Sequence, residues 1–167
     1  MIELTPLDKD EWMPRVRVQV IETADEARRV LDELVTAGIR SDIQSMDLIA
    51  QKPPGADWPE GYVVRLALGP STILGWAHAR RSQRRTAVLS WETARASWDH
   101  GYMREAIPRI VQWLLRRRGI IEIYAAVPIG DDKSEAVAKR GGFEPTEQGD
   151  PAKRTHLWLC KGAPETA

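Results

Sequence analysis

The sequence predicts a mixed α/β (α+β) domain, and three observations carry that expectation. Segments with alternating apolar residues recur between Tyr62 and Ala94 at spacings that suit an antiparallel meander. From Gly101 the apolar period switches to that of a helix. IIEIYAAV (Ile120 to Val127) is then a nearly continuous apolar run, the mark of a central strand covered on both faces. The expected order is helices, meander, helix, central strand, helix, hairpin, which is not a doubly wound parallel sheet. With 167 residues, 43% of them hydrophobic, residues 1–167 fit one domain.

Each element has its own signal. MIELTPL reads as a short strand with Pro6 near its end. Val16 to Glu22 alternates in the strand period, although helix is also open there. TADEARRVLDELVTAGI is a helix: Thr23 suits the N-cap, Asp25 and Glu26 the first turn, and Gly38 the stop. Ala27, Val30, Leu31, Leu34 and Val35 form its stripe. Gln51 to Gly61, rich in proline and glycine, is a surface connection. Tyr62–Leu68 and Thr72–Arg80 are strands joined by Gly69-Pro70-Ser71, and Thr86–Ala94 is a third. In that third strand Val88, Ser90, Glu92 and Ala94 share one face. The helix from Gly101 carries Ala106, Ile110, Trp113 and Leu114 on its apolar stripe, with Met103 and Ile107 as further candidates, and Gly119 closes it. A short helix ends at Gly141-Gly142, and Phe143 to Cys160 reads as a hairpin.

Lys plus Arg and Asp plus Glu both number 24, so the net charge is zero. That balance argues against a nucleic-acid or membrane-surface partner. One cysteine, Cys160, excludes a disulfide framework and a multi-cysteine zinc site and suits a reducing cytosol. No stretch approaches the ~20 apolar residues of a membrane span. The start, MIELTPLDKDEW, lacks the basic and apolar runs of a secretory signal. A soluble, cytoplasmic domain is expected.

The chemically informative stretch is WETARASWDHGYMREAI (Trp91 to Ile107), a strand that passes into a helix through glycine. A helix N-terminus leaves backbone N–H groups unpaired, and with the helix dipole they favour a phosphate. Glycine in the first turn admits a ligand close to the backbone. Many such passages bind nothing, so this alone is weak.

WDHGYMREAI resembles the acyl-CoA pyrophosphate loop of the GNAT superfamily of N-acetyltransferases. It is most similar to the ribosomal-protein N-terminal (Rim-type) branch, whose loop commonly reads W-G-K-G-Y-M-T-E-A. Downstream, DDKSEAVAKRGGF resembles that branch's N-x-x-S-x-x-x-x-E-K-x-G-F, with Ser134, Arg140, Gly142 and Phe143 in step. The resemblance runs from about Tyr62 to Pro145. It implies a mixed, mostly antiparallel sheet flanked by helices and splayed between the family's strands 4 and 5, with acyl-CoA in the wedge. Acetyl-CoA or another acyl-CoA would be the co-substrate, with no metal. Thr93 and Ala94 would offer backbone groups to the thioester and pantetheine. The amides of His100, Gly101, Tyr102, Met103 and Arg104 would hold the pyrophosphate, and Trp98 fits the family loop. Asp99 stands where the loop usually has glycine, and Asp131, at a cofactor-contacting position, where asparagine is usual. Pro108 falls inside the helix and should bend it near Arg104.

The implied reaction is direct acyl transfer to a primary amine, on a protein N-terminus or a small molecule. Glu92 is the candidate base, or else a sheet-face carboxylate paired with Arg80. Ser134 is the candidate acid or hydrogen-bond donor to the departing thiol and a cofactor contact, or else the N-cap of its helix. Tyr124 is an alternative acid, or else a core residue with a satisfied hydroxyl. His78, His100 and His156 have no metal-ligand spacing. Cys160 could act as a nucleophile only with His156 beside it, and an inert thiol is the plainer reading. Arg80–Arg85 and Arg116–Arg118 fit a solvated turn and a helix C-terminus, or a CoA 3′-phosphate contact. Trp12 and Trp58 fit ordinary packing or an acceptor wall. The rivals are a silent CoA-binding module or partner subunit and a cofactor-free interaction protein. Homodimer formation is left open.

Overall fold

The structure, a computed structural model, describes residues 2–5, 14–39, 43–68, 71–98, 100–117 and 119–162. Pro6, Trp12, Gly69, Pro70, Asp99 and Arg118 lie outside the described residues. The elements are β1 (Ile2–Leu4), β2 (Val16–Ile21), α1 (Ala24–Thr36), α2 (Ile43–Ala50), β3 (Glu60–Leu66), β4 (Ile73–Gln83), β5 (Thr86–Thr93), α3 (Tyr102–Arg116), β6 (Glu122–Pro128), α4 (Asp132–Arg140), β7 (Glu144–Asp150) and β8 (Thr155–Lys161). A 3-10 turn, Arg95–Ser97, precedes α3.

All eight strands form one sheet in the order β1-β2-β3-β4-β5-β6-β8-β7. Every neighbouring pair is antiparallel except β5–β6. A parallel pair needs a crossover, and α3 supplies it. The meander and the C-terminal hairpin follow the sequence expectation, and Val16–Ile21 is strand. Helix α2 has no counterpart in the expected elements. The family's strands 4 and 5 are β5 and β6 by count here.

The sheet carries a separate core on each face. On one, α3 and α4 bury Met103, Ile107, Ile110 and Leu114 against Val18, Val64, Leu89, Ile123 and Phe143. On the other, α1 and α2 bury Val30, Leu34 and Ile49 against Ile21, Val63 and Trp76. Burial of this kind is worth about 1.5–3 kcal/mol per large side chain. Helix α1 opens on Thr23, whose hydroxyl accepts from Glu26 N (3.2 Å) and donates to Glu26 Oε1 (3.0 Å). It closes before Gly38, whose φ of 83° suits the left-handed stop. Helix α3 runs unbroken from Tyr102 to Arg116 through Pro108.

Strand β6 corrects one expectation. Ile123, Ala125 and Val127 are buried, but Ala126 and Pro128 are exposed and Glu122 and Tyr124 only half-buried. The strand is central, yet covered on one face, because the second core is built over β2, β3 and β4. Trp58 packs against the α3/α4 core, so ordinary packing accounts for it.

The far end of α3 is tied down by a buried carboxylate. Glu60, fully buried, accepts from the Tyr62 hydroxyl and from Trp113 Nε1 at 2.8 Å. Arg117 Nη1 lies 2.8 Å from Glu60 Oε2 and 3.0 Å from Glu22 Oε1. Of the arginine cluster at the helix end, Arg117 is therefore an internal tie. Burial pushes the Glu60 carboxyl above its ordinary value, against the pull of these partners. The folded state then binds the proton more tightly than the unfolded chain. That contribution is complete below the unfolded value of 4.5 and is lost as pH climbs through the higher folded value. Urea denaturation of wild type and Glu60→Gln across this range should show wild type losing ground to the variant as pH rises. A difference independent of pH would show that Glu60 does not titrate as described.

Candidate active site

The sheet has a built-in opening. β5 and β6 pair only at Thr86↔Glu122, Ala87↔Ile123 and Val88↔Tyr124, although they continue to Thr93 and Pro128. Each stays fully paired on its other edge, β5 to β4 and β6 to β8. The strands therefore diverge as intact edges. The first turns of α3 and α4 converge on this gap and enclose a cleft of about 610 Å³.

The two helix ends differ in chemistry. At α4, Asp131 is the cap: Oδ1 accepts from Ser134 N at 3.1 Å and Oδ2 from the Ser134 hydroxyl at 3.0 Å. Ser134 is thus not the cap of its helix, as one reading held, but the cap's hydrogen-bond partner. At α3 the N-cap is Gly101, left-handed at φ 72°, with no side chain to cap the helix. Among the described residues, no acceptor is bonded to the first-turn amides of Tyr102, Met103 and Arg104. Open first-turn amides and the helix dipole are the features that favour an anion at a helix N-terminus. The Arg104 guanidinium folds back over Gly101, 3.0 Å from where a Cβ would stand.

The sheet supplies the floor through Trp91, Glu92 and Thr93. Ala94 N donates to Leu74 O at 2.9 Å, which fixes the alternation of the ladder. By that alternation the main-chain groups of Trp91 and Thr93 turn toward β6, past the last residue that β6 pairs. Trp98 Nε1 donates to Thr93 O at 3.0 Å, so the Thr93 carbonyl is engaged. The Ala94 carbonyl accepts from Ser97 N at 2.8 Å. Both main-chain groups of Ala94 are thus engaged within the chain, and the groups turned toward β6 belong to Trp91 and Thr93.

Glu92 sits beside Trp76 of β4, and so on the α1/α2 face of the sheet. Its Oε2 is buried and receives no hydrogen bond, and no ion pair to Arg80 forms. A buried carboxylate oxygen without a donor costs roughly 1–3 kcal/mol, so it marks a place where a partner is expected.

Thr93, Trp98, Gly101, Tyr102, Met103, Arg104, Asp131, Ser134 and Glu92 all line the cleft. Tyr124 does not; its hydroxyl donates to Glu122 Oε2 at 3.3 Å on the open sheet face, so it is not the core residue of the alternative reading. Burial and the Glu122 carboxylate hold that phenol above its ordinary value. His100 is exposed and stacks on Tyr102, with centroids 5.4 Å apart. Cys160 is buried, and burial raises its thiol. His156 is exposed. Among the described residues, no three His, Cys, Asp or Glu side chains group as metal ligands.

Two residues that shape the cleft do not stand out in the sequence. Arg15 reaches the α3 loop from outside. Gly75, inside β4, lets α3 approach: a Cβ there would lie 2.6 Å from Met103 Sδ and 2.9 Å from Glu92 O. A glycine inside a strand is a signal of such close approach. Gly75→Ala should cost about 1–3 kcal/mol by overpacking. Combining it with Met103→Ala, measured by chemical denaturation, should cost less than the sum of the single changes. Strict additivity would place the strain elsewhere.

Residues 3–144 match a family described as acetyltransferase (GNAT) domain. No curated protein matches the sequence. An acetyltransferase (GNAT family) from Bacillus anthracis superposes with TM-score 0.64 at 12% identity, over 96% of this chain and 98% of that one. A structure provisionally called a ribosomal-protein-serine acetyltransferase, from Vibrio cholerae, superposes with TM-score 0.60 at 16% identity, again over 96% and 98%. AAC(6′)-Ib in complex with paromomycin and acetyl-CoA gives TM-score 0.61 at 10% identity, over 86% of this chain and 93% of that one. At these identities the likeness is one of fold.

Proposed function

The chain belongs to the GNAT acetyltransferase family, and we propose that its cleft binds acetyl-CoA and passes the acyl group to a primary amine. The observation that carries this reading is the pairing of β5 with β6 over three residue pairs only, opposite an uncapped helix N-terminus. A long anionic thioester fits there. The amides of Gly101, Tyr102, Met103 and Arg104 hold the diphosphate, and the Trp91 groups and Thr93 N–H bond the pantetheine arm as a strand would.

Acetyl-CoA supplies the acyl group on a thioester, whose C–S bond breaks as the acceptor nitrogen forms its amide bond. Glu92 is the base: the donor its buried Oε2 lacks is the acceptor's N–H, reached directly or through a water, and the carboxylate takes that proton. Its place on the α1/α2 face of β5 puts the acceptor on the side of the sheet opposite α3. Ser134 faces the cleft, and its hydroxyl, now given to Asp131, turns to support the thiolate. Asp131 caps α4 and holds Ser134 through both its oxygens at the edge of the cleft. Trp98 walls the mouth of the cleft, 55% exposed and anchored by its indole N–H.

The acceptor is a small amine or a protein N-terminus; the Rim-like loop favours the second, and the open face beyond β5 accommodates either. A balanced charge and a lone buried thiol support a cytoplasmic enzyme without nucleic-acid or membrane partners. Among the described residues, no helix is long and apolar enough to cross a membrane.

Thiol release from acetyl-CoA across a panel of amines and N-terminal peptides tests the activity. Binding of CoA without release on any acceptor would instead favour a silent CoA-binding module. Glu92→Gln should lower the rate by about 10²-fold or more with CoA affinity nearly unchanged. Full activity in that variant would remove Glu92 from the chemistry. Gly101→Val crowds Arg104 and forces a β-branched residue to positive φ, so CoA affinity by calorimetry should fall. Unchanged affinity would displace the diphosphate from this loop.

A further inference from the structure

The diphosphate loop is held from behind as well as opened toward the cleft. Arg15, just before β2, donates from Nη1 to the His100 carbonyl at 3.0 Å and from Nη2 to the Gly101 carbonyl at 3.4 Å. Its backbone N–H donates to Glu105 Oε1 at 2.8 Å and its Nε to Glu105 Oε2 at 3.0 Å. The guanidinium also stands 5.2 Å from the centre of the Tyr102 ring. Glu105 is in turn 3.5 Å from Arg109, a buried residue whose Nη1 donates to Val16 O at 2.9 Å. One arginine thus ties the start of β2 to the first turn of α3.

The geometry of the peptide bond gives this tie a function. In a trans peptide the carbonyl of one residue and the N–H of the next point in opposite directions. With the His100 and Gly101 carbonyls drawn to Arg15, the N–H groups of Gly101 and Tyr102 point away from it. Gly101 and Tyr102 line the cleft on that other side. Gly101 has no side-chain cap, and while the helix engages its own carbonyl, nothing in glycine holds the preceding His100–Gly101 plane.

We infer that Arg15 is a positioning residue of the diphosphate site, fixing two successive peptide planes so that their amides converge on the anion. It touches no ligand. Glu105 balances its charge, so its effect is orientation rather than added positive potential. Lysine does not replace it, because a single ammonium lacks the planar fork that spans two carbonyls and a carboxylate.

This inference rests on the proposed CoA site. The test compares wild type, Arg15→Ala and Arg15→Lys, with calorimetry on CoA and on dephospho-CoA and with acetyl-CoA kinetics. The Arg15 side chain is 54% exposed, so its loss leaves the core intact. Arg15→Ala should weaken both ligands about tenfold and raise KM for acetyl-CoA in proportion, with kcat within about twofold, the scale of one charge-assisted hydrogen bond. Arg15→Lys should recover only part of the loss. Unchanged affinity in Arg15→Ala overturns the inference. So does a loss confined to CoA, which would move the effect to the 3′-phosphate, or a fall in kcat that tracks melting temperature. Wild type that binds neither ligand would bring down the site itself; wild-type binding with an indifferent Arg15→Ala brings down only the clamp.

Discussion

Eight strands share one sheet, yet one seam in it closes over only three residue pairs. Everything at the candidate site descends from that seam. β5 and β6 are the parallel neighbours, and parallel neighbours require a crossover. The crossover helix α3 must begin where β5 ends and run back to where β6 begins. Its N-terminus therefore opens at the end where the two strands have parted. The N-terminus of the helix and the gap in the sheet meet because the topology allows little else. β4 and β8 keep the parted strands rigid by pairing with their outer edges.

The approach of α3 to β5 depends on small residues on both sides. Gly75 leaves room for Met103 against the sheet, and Gly101 leaves room for the Arg104 guanidinium over the helix start. Opposite them, Trp98 spends its indole N–H on the Thr93 carbonyl, which takes one acceptor out of the cleft and stiffens the passage from β5 to α3. The cleft floor also presents the main-chain groups of Trp91 and the Glu92 carboxylate.

Local features were legible in the sequence because their causes are local. The period switch at Gly101, the Thr23 cap, the Gly38 stop and the loop motif each lie within a few residues of the structure they produce. Helix α2 was not legible, since IQSMDLIA spans only 8 residues, too short a run to establish a helical period. The single-sided cover of β6 escaped notice for a related reason: a run such as IIEIYAAV records apolar content, not which helices arrive above it. Arg15 lies 85 residues from the His100 carbonyl it holds, and no local pattern reports a contact at that separation. Which residue caps α4 was not legible either, because Asp131 and Ser134 are both good capping residues and only geometry separates them.

The unequal ends of α3 and α4 give the cleft a direction. At α4 the Asp131 carboxylate caps the helix, whereas among the described residues no side chain caps α3. A bound molecule with a charged head and a slender tail consequently meets open amides on one wall and a self-capped helix on the other. The proposed orientation, head toward α3 and tail along β5, follows that asymmetry. The molecule's vectorial sense, and with it the side of the sheet on which a second reactant must arrive, follows from which of two neighbouring helices happens to cap itself.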